Sequence, residues 1–511
     1  MATGAVEAVS YGRRLSLLAA ARPERPVIVF APQDGAERVV TWRELDERSN
    51  QVARLLAGRG VGERSLAIVG LPNCPEHYVA TFAAWKLGAL VLPLRAALPG
   101  RERDQILELG DPAAVVADWE GVAFPLVTTD ALAASVARSA EPLPERIPHP
   151  GKAIASGGST GRPKIIVDPR PLVYRGGARV VEGGFDAGLR ADQVQLVAGP
   201  LYHNSPFGWG HGGLQEGHTI VLMDRFDAAR AVDLIERHRV NFAFLAPTMM
   251  RRIVQLPEIG RRDLSSFDAI LHTAAPCPLW LKRAWIELIG GEKVREGFGS
   301  SEAVGMTGIR GDEWLAHPGS VGRPYGCDLR ILDEVGNDQP TGEVGEIFMR
   351  PHGAGPTYAY IGSPPAKRTP DGFTSVGDLG WVDAEGYLFL ADRRVDLIIT
   401  GGANVYPAEV EAALTEHAGV GDVAVIGVPD EDWGKRVHAV IQGRDLAAPP
   451  TVAALDAHCR ERLASYKIPK SYEFVAQLPR DDAGKLRRSG LVAEREAGWT
   501  AGMIAAPRPS T

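Results

Sequence analysis

Short apolar runs alternate with helical patterns through the first three quarters of the chain, and this alternation constrains the fold more than any other feature. Runs with the length and composition of buried strands stand at residues 27–30, 66–69, 114–116, 220–223, 242–245 and 269–271. Thr41 and Glu44 form a capping box that opens one helix, and another helix is expected from about Pro75 to Leu87. Buried strands separated by helices predict an α/β fold.

Beyond residue 390 the pattern changes to a compact set of strands and helices. We expect strands at 397–400, 423–428 and 437–441, a helix that begins near Pro407, and a second helix that reaches Leu463. The charged segment 392–396 lies at the junction. The sequence therefore predicts a large N-terminal domain of α/β subdomains at 1–391 and a small, mobile α+β domain at 392–511, whose tail after about Gly498 is expected to be disordered.

Composition argues against several classes of protein. The 56 basic and 63 acidic side chains give a formal net charge of −7 without a basic stripe, so no nucleic-acid partner is expected. The four cysteines lie far apart without C-x-x-C spacing, which argues against a disulfide framework and a zinc site. No apolar stretch approaches the roughly 18 residues that a membrane span needs. We expect a cytoplasmic protein.

Residues 156–164, S-G-G-S-T-G-R-P-K, combine glycines, hydroxyls and one lysine. Free backbone N–H groups in such a turn, with hydroxyl donors and one ammonium, can hold several phosphate oxygens. The segment is not a Walker A loop, because Pro163 and the β-branched run after it prevent a helix from following directly. We expect a loop that joins two strands and can bind phosphate; an ordinary polar hairpin turn is the alternative.

Two other motif matches are poor candidates for function. Residues 157–161 fit the G-x-S-x-G pattern of serine hydrolases, but that pattern needs a helix directly after the serine, which Pro163 prevents. Residues 208–213 fit the G-x-G-x-x-G pattern of dinucleotide-binding proteins, but they follow Ser-Pro-Phe rather than a strand. Neither a hydrolase nor a dinucleotide-binding enzyme is expected.

Six motifs in a fixed order, spread over about residues 41–488, resemble those of the adenylate-forming superfamily, which includes acyl- and aryl-CoA synthetases, luciferases and nonribosomal adenylation domains. They are the loop at 156–164, G-F-G-S-S-E at 297–302, V-G-D at 376–378, Arg393, D-L-I-I-T-G-G-A-N-V-Y-P at 396–407 and P-R-D-D-A-G-K at 479–485. Among the members of this superfamily, the chain most resembles aryl-, bile-acid- or fatty-acid-CoA ligases. The resemblance implies an enzyme that uses ATP and Mg²⁺ to convert a carboxylic acid to its acyl-adenylate, releases pyrophosphate, and forms a thioester with coenzyme A.

The resemblance also implies roles for individual residues. Two anions meet when a carboxylate approaches the α-phosphate of ATP, so the site needs cations and aligned donors. By resemblance, Glu302 coordinates Mg²⁺, Ser301 contacts the α-phosphate, Phe298 stacks on adenine, and Asp378 and Arg393 bind the ribose. The implied nucleotide-binding residues are Ser156, Gly157, Gly158, Ser159, Thr160, Gly161, Lys164, Ala274, Ala275, Pro276, Gly297, Phe298, Gly299, Ser300, Ser301, Asp378 and Arg393.

Lys485 is the residue on which catalysis is expected to depend most. The resemblance implies that its ammonium bridges the attacking carboxylate and the α-phosphate; a solvated surface lysine is the alternative. The implied catalytic residues are Lys485, His203, Thr160 and Glu302. After adenylation the C-terminal domain is expected to rotate near Arg394 and Val395 and to present Gly401, Gly402 and Ala403 to the pantetheine arm of coenzyme A.

Several positions depart from the family pattern. Gly157 replaces the usual serine, Asp481 the usual threonine, and Val395 the usual Asp or Lys at the pivot, while Asp392 replaces the glycine before Arg393. An altered pivot bears on the second half-reaction. Two alternatives therefore stay open: an amide synthetase that passes the acyl group to an amine, and a non-catalytic acyl- or nucleotide-binding homologue.

The segment 200–209, P-L-Y-H-N-S-P-F-G-W, stands where relatives line the acyl pocket. Aromatic side chains and the glycines at 208, 210, 212 and 213 favour an apolar, flat cavity, although a packed aromatic corner is the alternative. We expect an aromatic, heteroaromatic or polycyclic acid, with a fatty acid next, and a monomer or homodimer. The expected acyl-pocket residues are His203, Phe207, Trp209, Gly210, Gly299 and Gly305.

Overall fold

The computed structural model of the protein describes residues 8–157, 163–176, 185–353, 355–393, 396–400, 403–430, 433–481, 484, 486 and 488–500. Two large sheets with flanking helices form the part before residue 394, and a smaller sheet forms the part after it. This arrangement confirms the predicted fold class. The tail beyond residue 500 lies outside the described residues.

The larger of the two sheets has thirteen strands, with a parallel centre and antiparallel ends. Its central strands are buried on both faces, which explains why the sequence shows them as continuous apolar runs. From the strand Val294–Gly299 outward the pairing is antiparallel. The strands are Pro26–Ala31, Arg38–Thr41, Val194–Val197, Thr219–Met223, Phe242–Phe244, Ala269–His272, Val294–Gly299, Met306–Arg310, Ser320–Tyr325, Cys327–Leu332, Gly345–Pro351, Thr374–Val382 and Leu388–Arg393.

The second sheet has seven strands and carries the glycine-rich loop at one side. Its parallel strands pack against one large apolar cluster on one face and a smaller cluster on the other. A two-stranded ribbon, Val9–Ser10 with Val173–Tyr174, lies apart from it. The seven strands are Leu66–Val69, Leu90–Pro93, Ala114–Val116, Leu126–Val127, Lys152–Gly157, Pro163–Asp168 and Ala359–Ile361.

The C-terminal part has a five-stranded sheet and an apolar core of its own. A long hairpin dominates it, because Val420–Asp430 pairs along its length with Gly434–Gly443. Both strands include and extend the strands predicted there. The five strands are Ile398–Thr400, Ala403–Val405, Val420–Asp430, Gly434–Gly443 and Ser471–Val475.

The helices flank the sheets. The capping box is present, since Thr41 accepts from the Glu44 backbone N–H and Glu44 accepts from that of Thr41. Within the described part of the chain, none of the helices has the length and apolar character to cross a membrane. The α-helices are Tyr11–Ala21, Trp42–Ala57, Pro75–Lys86, Gly100–Gly110, Thr129–Ala134, Asn204–Gln215, Ala228–His238, Pro247–Val254, Leu279–Ile289, Gly311–Trp314, Pro407–Thr415, Val452–Arg460 and Arg488–Thr500.

Several predicted boundaries differ by one to three residues from those in the structure. The helix expected to reach Leu463 ends at Arg460, although the Leu463 backbone N–H still donates to the Cys459 carbonyl at 2.8 Å. The chain after Arg460 therefore keeps a helix-like hydrogen bond without being part of the regular helix, which is common at helix ends.

Candidate active site

The glycine-rich segment joins two antiparallel strands, as the sequence predicts. Lys152–Gly157 pairs with Pro163–Asp168, with Ser156 directly opposite Lys164. Both of these residues line a large cleft. Gly158, Ser159, Thr160 and Gly161 lie outside the described residues, so their contacts with phosphate remain a prediction.

The cleft has a volume of about 2750 Å³ and is bordered by residues of both large sheets and of the C-terminal part. A pocket for one small molecule is typically about 300–1,000 Å³, so this cleft has room for more than one substrate. It brings together most of the predicted site residues that the structure describes. Those that line it are Ser156, Lys164, His203, Phe207, Trp209, Ala274, Ala275, Pro276, Gly297, Gly299, Ser300, Ser301, Glu302, Gly305 and Asp378.

Glu302 forms a compact charged group with two residues of the second sheet. Lys164 Nζ lies 3.3 Å from Glu302 Oε1, and the Tyr360 hydroxyl donates to the same oxygen at 2.5 Å. Burial raises the pKa of Glu302, but the Tyr360 hydrogen bond and the charge of Lys164 outweigh it and hold that pKa below its usual value. Glu302 is therefore ionised at neutral pH.

Tyr360 is a site residue that the sequence did not identify. It stands on the strand Ala359–Ile361, which pairs with the strand after the glycine-rich loop. Lys164 Nζ lies 4.0 Å from the centroid of its ring, so the ring contacts the lysine that carries the predicted phosphate role. No pattern in the residues around Tyr360 distinguishes it, because its role depends on this long-range strand pairing.

Mg²⁺ at this site is compatible with the donors present. A carboxylate oxygen is the ligand type that this hard cation prefers, and Mg²⁺ is usually held by one or two carboxylates together with substrate phosphates and water. Among the described residues no cluster of three or more His, Cys, Asp or Glu side chains forms a metal cage. Glu302 beside the predicted phosphate loop fits a cation that arrives with the nucleotide.

The turn 273–276 lies at the cleft directly after the buried strand Ala269–His272. Ala274 adopts a φ of 78°, a conformation that costs energy for any residue other than glycine and that persists where the surroundings enforce it. The neighbouring strand contributes Gly297 and Gly299 to the cleft wall. Small residues therefore border the space predicted for adenine.

Phe298 lies on the other side of that strand. Its ring packs against the apolar cluster that includes Val304 and Val321, because alternate residues of a strand face opposite sides. Gly297 and Gly299 border the cleft while Phe298 does not. This differs from the expectation that the ring faces the nucleotide, and stacking on adenine remains a prediction.

The predicted ribose-binding pair lies on adjacent strands. Asp378 is directly opposite Arg393 in the antiparallel register, and Asp378 lines the cleft. The side chain of Arg393 lies outside the described part, as do Arg394 and Val395. The backbone register alone brings both residues to one edge of the cleft.

The segment before Lys485 reaches into the cleft. An ideal Cβ at Gly484 would lie 2.1 Å from Thr248 Oγ1, and Asp481 Oδ2 lies 3.7 Å from His203 Nε2. Thr248 and His203 both belong to the large N-terminal part. The C-terminal part is therefore arranged with this segment against the side of the cleft that Thr248 and His203 border, while Lys485 itself lies outside the described residues.

Asp422 connects the two parts of the chain. Its carboxylate accepts from Arg480, which is four residues before Gly484, and from Arg251 of the helix Pro247–Val254. Neither Asp422 nor Arg251 was identified from the sequence. No local sequence pattern could have identified this ion pair, because Arg251 and Asp422 are 171 positions apart.

The part of the cleft where the sequence predicts the acyl pocket is formed by the helix Asn204–Gln215, with His203 as its N-cap residue. Phe207 is buried but still borders the cleft, and Trp209 borders it as well. Gly210 faces away from the cleft: an ideal Cβ there would lie 2.6 Å from the Tyr78 hydroxyl. This glycine allows helix packing rather than widening the predicted acyl pocket.

The residues predicted to contact coenzyme A lie on the small sheet. Ala403 begins the strand Ala403–Val405, which pairs with Ile398–Thr400. Ala403 does not border the cleft in this arrangement. Gly401 and Gly402 lie outside the described residues.

Comparison with known proteins identifies the family. Residues 17–359 match the family described as AMP-binding enzyme, and residues 409–485 match the AMP-binding enzyme C-terminal domain. A feruloyl-CoA synthase from an Amycolatopsis species is 33% identical over 471 residues, which cover 88% of this chain and 92% of that protein.

Two solved structures have the same fold over nearly the whole chain. The o-succinylbenzoate CoA synthetase of Bacillus subtilis, in complex with its acyl-adenylate intermediate, matches with a TM-score of 0.77 and 27% identity, over 95% of this chain and 98% of that chain. The amide bond synthetase McbA of Marinactinospora thermotolerans matches with a TM-score of 0.76 and 25% identity, over 95% and 99% of the two chains. The chain therefore belongs to the AMP-binding family of adenylate-forming enzymes, as its ordered motifs predict.

Proposed function

We propose that this enzyme activates a carboxylic acid with ATP as the acyl-adenylate, releases pyrophosphate, and then transfers the acyl group to coenzyme A. The observation that supports this most directly is the position of the Gly484 segment. It lies against Thr248 and near His203, on the same cleft that holds the pair of Lys164 and Glu302. We propose that Lys485, which follows Gly484 directly in the sequence, acts where the acid and the nucleotide meet.

In the proposed first step a carboxylate oxygen attacks the α-phosphorus, a new P–O bond forms, and the bond to pyrophosphate breaks. Lys164 and the donors of residues 157–161 neutralise the β- and γ-phosphates, and Lys485 neutralises the charge shared by the acid and the α-phosphate. Mg²⁺ held at Glu302 would supply further neutralisation of the phosphates. Asp378 and Arg393 hold the ribose, so the α-phosphate is positioned from both sides.

In the proposed second step the thiol of coenzyme A attacks the acyl carbonyl carbon and gives up its proton, a C–S bond forms, and the acyl C–O bond breaks so that AMP leaves. Two half-reactions in one cleft require the C-terminal part, which acts as a lid, to move. We propose that the chain divides into domains at 1–391 and 392–511, that rotation occurs at Arg394 and Val395, and that it brings Gly401 to Ala403 to the cleft. The separate sheet and core of the C-terminal part support a rigid-body rotation.

An amine acceptor is the second candidate. The likeness to an amide bond synthetase, with a TM-score of 0.76, is close to that to the CoA synthetase, with a TM-score of 0.77, and both cover 95% of this chain. Val395 also departs from the usual pivot residue. In this case the amine nitrogen attacks the acyl carbonyl carbon and gives up one proton, a C–N bond forms, and the acyl C–O bond breaks so that AMP leaves with no thioester formed.

We propose an aromatic or polycyclic acid as substrate. The relatives named above act on feruloyl and o-succinylbenzoate groups, both of which contain an aromatic ring, and Phe207 and Trp209 border the cleft. We also propose a cytoplasmic location and a monomer or homodimer. The free cysteines of the described part are compatible with a reducing compartment.

The test is acid-dependent ATP–pyrophosphate exchange across a panel of aromatic, polycyclic and fatty acids, with and without Mg²⁺. Product analysis with coenzyme A and with amines then identifies the acceptor. Exchange and a thioester support the main proposal, whereas exchange and an amide without a thioester support the second. Exchange with none of the acids would indicate a binding protein and would overturn both.

A further inference from the structure

Four aromatic rings together form one wall of the cleft. They belong to Tyr11, Trp85, Phe207 and His211, all of which border the cleft and are mostly buried. The ring centroids of Trp85 and His211 are 4.9 Å apart, and those of Phe207 and His211 are 4.2 Å apart. Three helices, beginning at Tyr11, Pro75 and Asn204, supply this aromatic wall. His211 is its one member with a ring nitrogen that can accept a hydrogen bond.

The contacts of His211 determine which ring nitrogen carries hydrogen. Nδ1 lies 2.8 Å from the Phe207 carbonyl oxygen, and a carbonyl oxygen can only accept, so Nδ1 is the donor. Burial lowers the pKa of His211 to about 3, because the charged ring is disfavoured away from water. At neutral pH the ring is therefore neutral, and Nε2 carries a lone pair.

Nε2 of His211 has no hydrogen-bond partner among the described residues. The side chain is 2% exposed, so bulk water does not compensate. The nearby Tyr78 hydroxyl, whose ring centroid is 4.6 Å from that of His211, is likewise without a partner, and it does not border the cleft. Leaving a buried acceptor unpaired costs free energy, and a hydrogen-bond donor on a ligand would recover it.

We propose that the acid carries a hydrogen-bond donor, a hydroxyl or a ring N–H, at the end far from its carboxylate, and that His211 Nε2 accepts from it. This inference rests on the proposed function and names the substrate class for the same site. It makes His211 a specificity-determining residue, because an acid that ends in a methyl group or a bare ring leaves Nε2 unpaired.

The position of His211 also indicates the length of the acid. His203, at the carboxylate end, and His211 belong to the same helical stretch, and eight residues at about 1.5 Å each separate them by about 12 Å along the axis. An extended aryl-propenoic or bicyclic acid spans more of this distance than a benzoic acid does. The flat rings of Trp85 and Phe207 favour an aromatic framework beside the donor.

The first experiment uses the wild-type enzyme and pairs of acids that differ only in the donor. The pairs are para-hydroxycinnamic with cinnamic acid, hydroxynaphthoic with naphthoic acid, and indole- with benzofuran-carboxylic acid. Para-methoxycinnamic acid is a further control, because its methoxy group can accept a hydrogen bond but cannot donate one. We expect kcat/KM for ATP–pyrophosphate exchange to be roughly 10- to 100-fold higher for the donor-bearing member of the accepted pair. Equal rates within each pair would overturn the inference, while exchange with none of the acids would count against the proposed function itself.

The second experiment compares His211→Phe with a matched control. The phenyl ring keeps the contacts with Phe207 and Trp85 and removes the acceptor, so the preference for the donor should fall to within about threefold of unity while the Tm stays equal or rises. Tyr78→Phe removes a buried hydroxyl that does not border the cleft, and it should retain the preference. A preference that survives in His211→Phe, or one that Tyr78→Phe abolishes, would contradict the assignment; the wild-type pairs remain decisive if His211→Phe does not fold.

Discussion

Arg251 Nη1 lies 3.2 Å from Asp422 Oδ1, which joins a helix of the large N-terminal part to the long hairpin of the C-terminal part. The same carboxylate accepts from Arg480 at 2.5 and 2.9 Å. Asp422 is only 6% exposed, so two arginines share one buried counter-ion. Arg480 is four residues before Gly484, so the Asp422 carboxylate holds the segment around Gly484. Through Arg251 it also joins the C-terminal part to the large N-terminal part.

We predict that Asp422→Asn lowers the free energy of unfolding by about 3 kcal/mol, because two largely buried arginines lose their counter-ion. Adenylation should fall as well, since the lid is no longer held over the cleft. Chemical denaturation and ATP–pyrophosphate exchange measure the two effects. Asp456→Asn is the matched control: its partner Arg460 is 65% exposed, so a change within about 0.5 kcal/mol is expected. Similar values for the two variants would contradict this prediction.

The Asp422 group also predicts a pH dependence of stability. Burial raises the pKa of Asp422, but hydrogen bonds and charges from Arg480 and Arg251 outweigh it, so the folded-state pKa lies below the usual value. The stabilisation of the fold by the ionised Asp422 carboxylate is therefore complete above the unfolded-state pKa of about 3.9, and it is lost as the pH falls through the folded-state pKa. The difference in unfolding free energy between wild type and Asp422→Asn should shrink below about pH 4. A difference that stays constant down to pH 2 would show that protonation of this carboxyl is not involved.

Lys485→Ala should reduce ATP–pyrophosphate exchange by roughly 10²-fold or more, the usual effect of removing one preorganised charge stabiliser. Its Tm should stay close to that of the wild type, because the proposed role is confined to the transition state. Lys470→Ala is the control, since Lys470 is exposed and bonds only weakly to the Ser465 carbonyl. Exchange at the wild-type rate in Lys485→Ala would refute the assignment.

Several parallel strands could be predicted, because they are continuous apolar runs that are buried on both faces, whereas Val194–Val197, which contains a glutamine, was not predicted. The predicted strands at 66–69 and 114–116 have the same bounds in the structure. The antiparallel end of the large sheet was not predicted, because strands such as Ser320–Tyr325 mix glycine, proline and charge. Ala359–Ile361 pairs with a strand almost two hundred residues earlier, and only tertiary structure determines such a pairing.

The site residues divide in the same way. Lys164, Glu302 and Asp378 belong to contiguous motifs, and the structure brings all three to one cleft. Tyr360 and Arg251 contribute through single contacts with residues far away in the sequence, and such contacts leave no local pattern. Phe298 is a different case: the resemblance implies that its ring stacks on adenine, whereas in the structure the ring packs against the apolar cluster that includes Val304 and Val321, and stacking on adenine remains a prediction.

Gly484→Ala should reduce adenylation by about 10²-fold, because displacing a catalytic group by about 1 Å can cost that much. Gly484 has a φ of 77°, and an added Cβ would lie 2.1 Å from Thr248 Oγ1, so the segment that carries Lys485 must shift. The measurement is the exchange rate at saturating ATP and acid. Gly490→Ala, where an added Cβ meets nothing within 4 Å, should behave like the wild type. An unchanged rate in Gly484→Ala would show that contact with Thr248 is not needed for adenylation.

Tyr360→Phe should raise the Mg²⁺ concentration needed for half-maximal exchange by about tenfold, as is typical when a hydrogen bond to a metal-binding carboxylate is lost. The phenyl ring keeps the contact with Lys164, so the effect isolates the hydroxyl that donates to Glu302. Tyr358→Phe is the matched control: its ring lies 4.8 Å from that of Tyr360, but its hydroxyl accepts from the Ala366 backbone N–H instead. If both variants required the same Mg²⁺ concentration as the wild type, the Tyr360 hydroxyl would not orient Glu302 for the cation. If both required more, the cause would be packing of the tyrosine pair rather than the hydrogen bond to Glu302.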